Sequence, residues 1–188
     1  MIQEVIVTTQ NSKGVTHIAP MGIHLQEDKF IILPFRPSTT LSNILESKTA
    51  VLNYTDDIRI FAGCLTGRRD WPLSKTEKIE GHYLSAALAH RELKLIEIEE
   101  DETRPKLFCK TIQMVNHTPF QGFNRAQFAV LEAAILVSRL KMLPIEKINS
   151  EIEYLKIGLD KTAGDNEYEA WGWLMQLVEQ HKQELNHK

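Results

Sequence analysis

Cysteine is nearly absent from the 188-residue chain: Cys64 and Cys109 stand far apart and outside any paired-cysteine motif. This excludes a disulfide framework and a thiolate zinc site, and leaves two ordinary buried thiols as the expectation. An excess of either charge is lacking too, with 22 basic residues against 25 acidic ones. A chain that tracks a nucleic-acid backbone needs a basic surplus, so neither DNA nor RNA is an expected partner. No apolar run approaches bilayer-spanning length, and Met1-Ile2-Gln3-Glu4 has neither the basic nor the apolar region of a signal peptide. A cytoplasmic protein with no membrane association is expected. The glycine-rich dinucleotide fingerprint and the lysine-bearing loop of nucleoside triphosphatases are missing, which removes those two nucleotide folds only. Histidines 17, 24, 82, 90, 117, 181 and 187 show no pair at helical ligand spacing with a carboxylate, so no metal site is expected. His17 could give a proton near a bound ring, or serve the structure alone.

Hydrophobic periodicity is what the chain does have. Residues 15–25 alternate with a period of two, residues 4–9 read as their partner strand, and Gln10-Asn11-Ser12-Lys13-Gly14 supplies a turn. Pro20 cannot donate to a ladder, so it marks an edge or a bulge. Residues 30–35 form a continuous apolar strand covered on both faces, ended by Pro34. A short helix runs to about Ser47, and residues 50–54 and 58–64 read as strands around Thr55-Asp56-Asp57. Residues 66–75 read as a loop and residues 79–89 as a helix. Residues 93–99 and 106–115 form a hairpin in which phase slips, between Leu95 and Ile96 and between Cys109 and Ile112, point to bulges.

From Asn124 onward the period is that of helices. Asn124 caps a buried helix over residues 125–141, Pro144 opens a second helix that Gly164 ends, and residues 166–185 form a third. Ile145, Ile148, Ile152, Leu155 and Leu159 form the second helix's packing seam; Tyr168, Trp171, Met175, Val178 and His181 share a face of the third. Arg125, Glu132 and Arg139 recur every seven residues and read as a paired charged stripe.

The richest local signal is Arg36-Pro37-Ser38-Thr39-Thr40-Leu41-Ser42-Asn43, between a buried strand and a helix start. Free backbone N–H groups, nearby hydroxyls and a planar guanidinium suit a phosphate. The same residues also suit a plain helix cap with Arg36 in solvent. Ala19, Met21 and Gly22 would let a flat ring approach the backbone, or simply pack closely. Asn53, a polar residue in an apolar strand, bonds either nearby backbone or a ligand.

The segments Val7-Thr8-Thr9, His17 to Gly22, Arg36 to Thr40, Val51 to Asp57 and Phe123-Asn124-Arg125-Ala126 resemble an uncharacterised family of FMN-binding split-barrel proteins related to flavin reductases and pyridoxamine phosphate oxidases. The resemblance implies an α+β fold: an antiparallel six-stranded split β-barrel over residues 1–120, then a helical C-terminal subdomain over 121–188. It also implies a homodimer holding FMN and acting on an unknown small-molecule substrate as an oxidoreductase. Arg36, Ser38, Thr39 and Thr40 would bind the phosphate with support from Asn43. Ala19 and Met21 would offer backbone to the isoalloxazine, Asn53 would lie near the ribityl chain or the ring, and Asn124 and Arg125 match a further family motif. No catalytic side chain is assigned. The alternatives are a non-catalytic flavin carrier, a structural dimer, or a deazaflavin-dependent enzyme.

Overall fold

The computed structural model describes residues 1–186, so His187 lies outside the described residues. Two compact units are formed, Met1–Thr55 with Trp71–Phe120, and Asp56–Asp70 with Gln121–Lys188. The division is therefore not a single cut near residue 120, because the chain contributes Asp56–Asp70 to the helical unit before returning to the β unit.

In the first unit, β1 (Ile2–Gln10) and β2 (Thr16–Gln26) form the expected hairpin, registered from Ile2 opposite His24 to Gln10 opposite Thr16. Its turn closes as the residues dictate: the Asn11 side chain accepts from the N–H groups of Lys13 and Val15, and Gly14 takes a φ of 78°. Strand β3 (Lys29–Ile32) is shorter than the apolar run suggested, though Phe30, Ile31 and Ile32 are all buried, as a strand covered on both faces requires. Helix α1 (Thr39–Ser47), β4 (Thr49–Tyr54), β5 (Leu73–Lys75), β6 (His82–Leu84), β7 (Ala89–Glu99) and β8 (Lys106–Asn116) follow. Six antiparallel strands close a barrel in the order β1-β2-β3-β8-β7-β4, with β5 and β6 as a separate small hairpin. Val5, Val7, Ile23, Ile32, Leu52, Leu93 and Leu107 fill the barrel, and α1 adds Leu41 and Ile44 to the same core. That packing fixes where the head of α1 sits on the barrel.

Both expected bulges are present. Leu95 pairs with Cys109 and Glu97 with Phe108, leaving Ile96 as an extra residue on β7, while Glu92 pairs with Gln113 and Leu93 with Thr111, leaving Ile112 extra on β8.

Three elements differ from the sequence-based expectation, the first being Leu73–Lys75, the end of the expected loop, which forms strand β5. Residues 58–64 are not a strand but helix α2 (Arg59–Leu65) in the second unit. Asp57 starts it, accepting from the Arg59 N–H at 3.2 Å and gripping the Arg59 guanidinium at 2.9 and 2.7 Å. A seven-residue run buried almost all round has no period to separate strand from helix. Residues 79–89 are not a helix; they hold β6 and the turn into β7. Thr76 draws the chain back by donating its hydroxyl proton toward the carbonyls of Ile79 and Gly81, and β6 then pairs with β5. Tertiary hydrogen bonds override the helix propensity of Leu84, Ala86, Ala87 and Leu88.

The second unit packs α2 with α3 (Arg125–Val137), α4 (Ile145–Thr162) and α5 (Asp165–Asn186). Helix α3 ends four residues before the expected Lys141. Ile148, Leu155 and Leu159 of the expected α4 seam are buried, and Ile145 and Ile152 half-buried. On α5 the buried stripe is Ala170, Trp171, Leu174 and Val178; Tyr168 is exposed rather than on that face. Glu167 sits beside the stripe because its carboxylate accepts from the Gly164 N–H at 2.9 Å. The charged stripe on α3 is corrected as well: Arg125 and Arg139 are exposed, Glu132 is half-buried, and none of them makes an ion pair among the described residues. Long side chains ending in water need no partner. Among the described residues no helix is long and apolar enough to cross a membrane.

Candidate functional site

The head of α1 is built by a proline and a serine. After the buried strand β3 and Pro34, the chain turns through a cis Arg36–Pro37 bond, and Ser38 takes an extended conformation with φ −155°. Its Oγ accepts from the Leu41 N–H at 3.2 Å, and its carbonyl accepts both the N–H and the hydroxyl of Ser42. Ser38 is thus the N-cap, while the amides of Thr39 and Thr40 begin a nine-residue helix and have no intrahelical acceptor. Thr39 and Ser42 are exposed beside them. Such a helix start carries positive potential and directed donors, which suit a phosphate ester.

Arg36 stands two residues ahead of the cap. Its Nη2 donates to Glu100 Oε2 at 2.8 Å, with the two side chains 40% and 70% exposed. Thr103 O accepts the Arg36 backbone N–H at 2.8 Å, and Arg104 donates to Leu33 O while its guanidinium stacks over Phe35. The β7–β8 turn is therefore held against the approach to α1, and Glu100, Asp101 and Glu102 rim an open hollow beside Arg36. The guanidinium is not a free fork, but an exposed ion pair is worth only about 0–1 kcal/mol, which a dianion can displace.

Thr40 and Asn43 turn the other way. Both are buried, and Asn43 Nδ2 donates to Thr9 Oγ1 at 3.0 Å, tying α1 to β1. Ala19 and Met21 are half-buried on β2, opposite Val7 and Val5 of β1. Strand β2 pairs with β3 only through His24, Leu25 and Gln26, so the stretch holding Ala19, Pro20 and Met21 has a ladder partner on one side alone. Pro20 lies at an edge, as its missing N–H requires, and backbone polar groups there are open to a flat polar ring.

Asn53 has no exposed surface, and its side chain is committed to the protein. Nδ2 donates toward Ile6 O at 3.0 Å and Thr8 Oγ1 at 3.1 Å, while Oδ1 accepts from the Leu84 N–H at 2.7 Å. Of the two readings of this residue, the internal one describes the geometry. Asn124 and Arg125 fall in the second unit and the other candidates in the first. Asn124 Oδ1 accepts from Ala126 N at 2.7 Å and Gln127 N at 3.3 Å, and its Nδ2 donates to Thr162 O, so it caps α3 and ties it to the end of α4. Arg125 is exposed beside a mostly apolar hollow with Phe123, Phe128, Tyr154 and Ile157.

One polar cluster was not singled out from the sequence. Glu92, with no exposed surface, accepts three backbone N–H bonds, from Glu77, Lys78 and Ile79, at 2.8 to 2.9 Å. His90 is buried beside it and bonded to His117, and burial pushes its pKa below the ordinary histidine value, with Glu92 opposing the shift and His117 adding to it. The usable signal was His90-Arg91-Glu92, three consecutive polar residues at the head of a strand, where alternation must bury at least one of them and a buried charge must find partners.

The family model described as Protein of unknown function (DUF447) N-terminal domain matches residues 3–118, and that described as Protein of unknown function (DUF447) matches residues 124–176. No curated protein matches the chain. Among solved structures, an FMN-bound protein of the same family from Methanosarcina mazei is 20% identical over 94% of both chains, with a TM-score of 0.79. The 2-nitrobenzoate 2-nitroreductase of Pseudomonas fluorescens is 23% identical, with 61% of this chain and 64% of that one covered and a TM-score of 0.53. An FMN-binding protein from Thermus thermophilus with bound 1-cyclohex-2-enone is 13% identical, over 60% and 69%, at a TM-score of 0.51. The likeness to these two covers about three fifths of the chain, whereas the likeness to the first runs along nearly all of it. With both models matching in order along most of its length, the chain belongs to the DUF447 family of proteins of unknown function.

Proposed function

We propose that this chain binds FMN, with the phosphate at the head of α1, and works as a cytoplasmic homodimer in redox chemistry on a small molecule. One observation carries the reading: the chain shares its whole fold with an FMN-bound protein of its own family. The residues fit the group. Thr39 and Thr40 offer amide N–H donors, Ser38, Thr39 and Ser42 offer hydroxyls, and Arg36 needs only to exchange Glu100 for the phosphate. Charge-assisted bonds of this kind are worth about 1.5–3 kcal/mol each when shielded from water. The singly paired edge at Ala19 and Met21 suits the polar rim of the isoalloxazine. Asn43 and Asn53 act from behind, holding α1, β1 and β4 in place. When bound, the flavin supplies electron transfer, and the protein supplies orientation and exclusion of water.

Self-association is supported by exposed apolar side chains inside each unit. Ile112 and Met114 lie two residues apart on β8, and Phe123, Phe128 and Tyr154 rim the hollow in the helical unit. Both cysteines are buried and lie far apart in the chain, which suits a reducing compartment. The test is purification without added flavin, followed by the absorbance spectrum, the mass of the small molecule released on denaturation, and the mass of the native particle. A yellow dimer releasing FMN is expected. A colourless protein that takes up no added FMN would leave a structural role, a reading favoured only by the engagement of Arg36 with Glu100.

A further inference from the structure

His90 and His117 form a bonded pair of imidazoles in the first unit, remote in sequence from the α1 head. His90 Nδ1 lies 2.8 Å from His117 Nε2, the ring planes differ by 13°, and the centroids are 5.0 Å apart. At that separation the rings meet edge to edge in nearly one plane, joined by an N–H···N bond rather than stacked. Tyr83 of β6 lies parallel over both, at 4.0 Å from His90 and 4.9 Å from His117. The second nitrogen of His90, buried and without a hydrogen-bond partner, is 3.5 Å from Glu92 Oε1. His117 is exposed, just beyond the end of β8. The charged and titratable groups around the pair are Glu92 on β7, Glu77 and Lys78 in the loop between β5 and β6, and Tyr83 with its neighbour His82 on β6. The ladder partners of His90, Asn53 on β4 and Val115 on β8, carry no charge.

Proton counting gives this arrangement a direction. Two neutral imidazoles hold two protons on four nitrogens, and only one proton fits between the two inner nitrogens. A first added proton is accommodated on an outer nitrogen, His117 Nδ1 toward water or His90 Nε2 toward Glu92, and the bond survives. A second must go to the inner acceptor nitrogen, where two N–H groups would face each other across 2.8 Å between two like charges. The rings then have to part.

We propose that the His90–His117 pair is an acid-sensitive latch that holds the β5–β6 hairpin and the chain after β8 on the barrel, and opens when it takes up its second proton. The parts it joins are otherwise attached at a few points, among them the Glu92 carboxylate on the amides of Glu77, Lys78 and Ile79 and the His117 and Thr118 N–H groups on Leu88 O. The hairpin strands are three residues each, and β6 is held to the barrel by Thr8 and Thr16 at His82 and by Asn53 at Leu84. Opening uncovers Tyr83 and loosens the contact of His82 with β1 and β2, while the barrel ladders stay intact.

The test is amide hydrogen exchange on the full chain between about pH 7.5 and about pH 5, corrected for the intrinsic rate. Below the ordinary histidine value of about 6.5, protection in residues 73–86 is expected to fall up to tenfold per pH unit, with the β3 and β4 amides unchanged. His117→Gln, at an exposed position, supplies an amide that can donate to neutral His90 or accept from its protonated form, so its hairpin protection should fall less steeply over the same range, leaving only the part set by burial of His90. Tyr83→Leu removes the cover but keeps the pair, and should keep the slope from a lower starting protection. Flat protection in the unaltered chain, an unchanged slope in His117→Gln, or loss of hairpin and barrel protection together would overturn the latch.

Discussion

The Leu84 N–H donates to Asn53 Oδ1 across 2.7 Å, joining strand β6 to a buried residue near the end of β4. Nδ2 of the same Asn53 side chain donates toward Ile6 O and Thr8 Oγ1 on β1. One side chain thus ties three strands, and removing it takes the acceptor from the buried Leu84 N–H and a donor from Ile6 O. Asn53→Ala is expected to lower stability by about 2–4 kcal/mol. Urea unfolding would show this, and a loss below half of the lower figure would mean that water or a neighbour replaces the amide.

Asn124 makes two N-cap bonds and a tie to the end of α4. Replacement by alanine should cost about 1–2 kcal/mol, and replacement by serine or aspartate, which retain a capping oxygen, markedly less. Thermal melts of the three variants check the order; equal melting temperatures would remove the cap from the account.

Burial of His90 sets the sign of a pH dependence. Its folded pKa lies below the unfolded value of about 6.5, so the folded state binds fewer protons than the unfolded chain in that range. The stabilisation is complete above about pH 6.5 and is lost as pH falls from there through the folded pKa, at up to about 1.4 kcal/mol per pH unit. Urea midpoints on either side of that value should differ in this direction, and the difference should shrink in His90→Gln.

Cys64 and Cys109 are both buried, which pushes their thiols up to about 11 and about 12 respectively. Neither should be alkylated by iodoacetamide in the native protein near neutral pH, and both should react in urea. Rapid labelling of the folded chain would show that one of them reaches solvent.

How far the sequence could be read depended on whether a residue's partner lay nearby along the chain. The β1–β2 hairpin was legible because Asn11 and Gly14 decide it locally, and the bulges at Ile96 and Ile112 because a phase slip needs no distant knowledge. Helix α2 was not legible: apart from Arg59, residues 58–64 are apolar or glycine with no period to separate strand from helix, and only Asp57 gripping Arg59 marks a helix start. The β5–β6 hairpin was hidden because Leu84, Ala86 and Ala87 favour helix, whereas a bond from Asn53 decides otherwise. At the α1 head, the Ser38 cap followed from residue type, but the Glu100 carboxylate on Arg36 comes from a turn 64 residues away. The His90–His117 contact spans 27 residues and has no local signature.

The most direct test compares the binding of FMN and riboflavin, which differ only in the phosphate, to the unaltered chain and to Arg36→Ala. If the head of α1 holds the phosphate, FMN should bind the unaltered chain at least about tenfold more tightly than riboflavin, since one charge-assisted bond of about 1.5–3 kcal/mol is worth that much. In Arg36→Ala the affinity for FMN should fall toward that of riboflavin, with riboflavin itself little affected. Equal affinity for both flavins, or full FMN affinity in Arg36→Ala, would contradict the assignment.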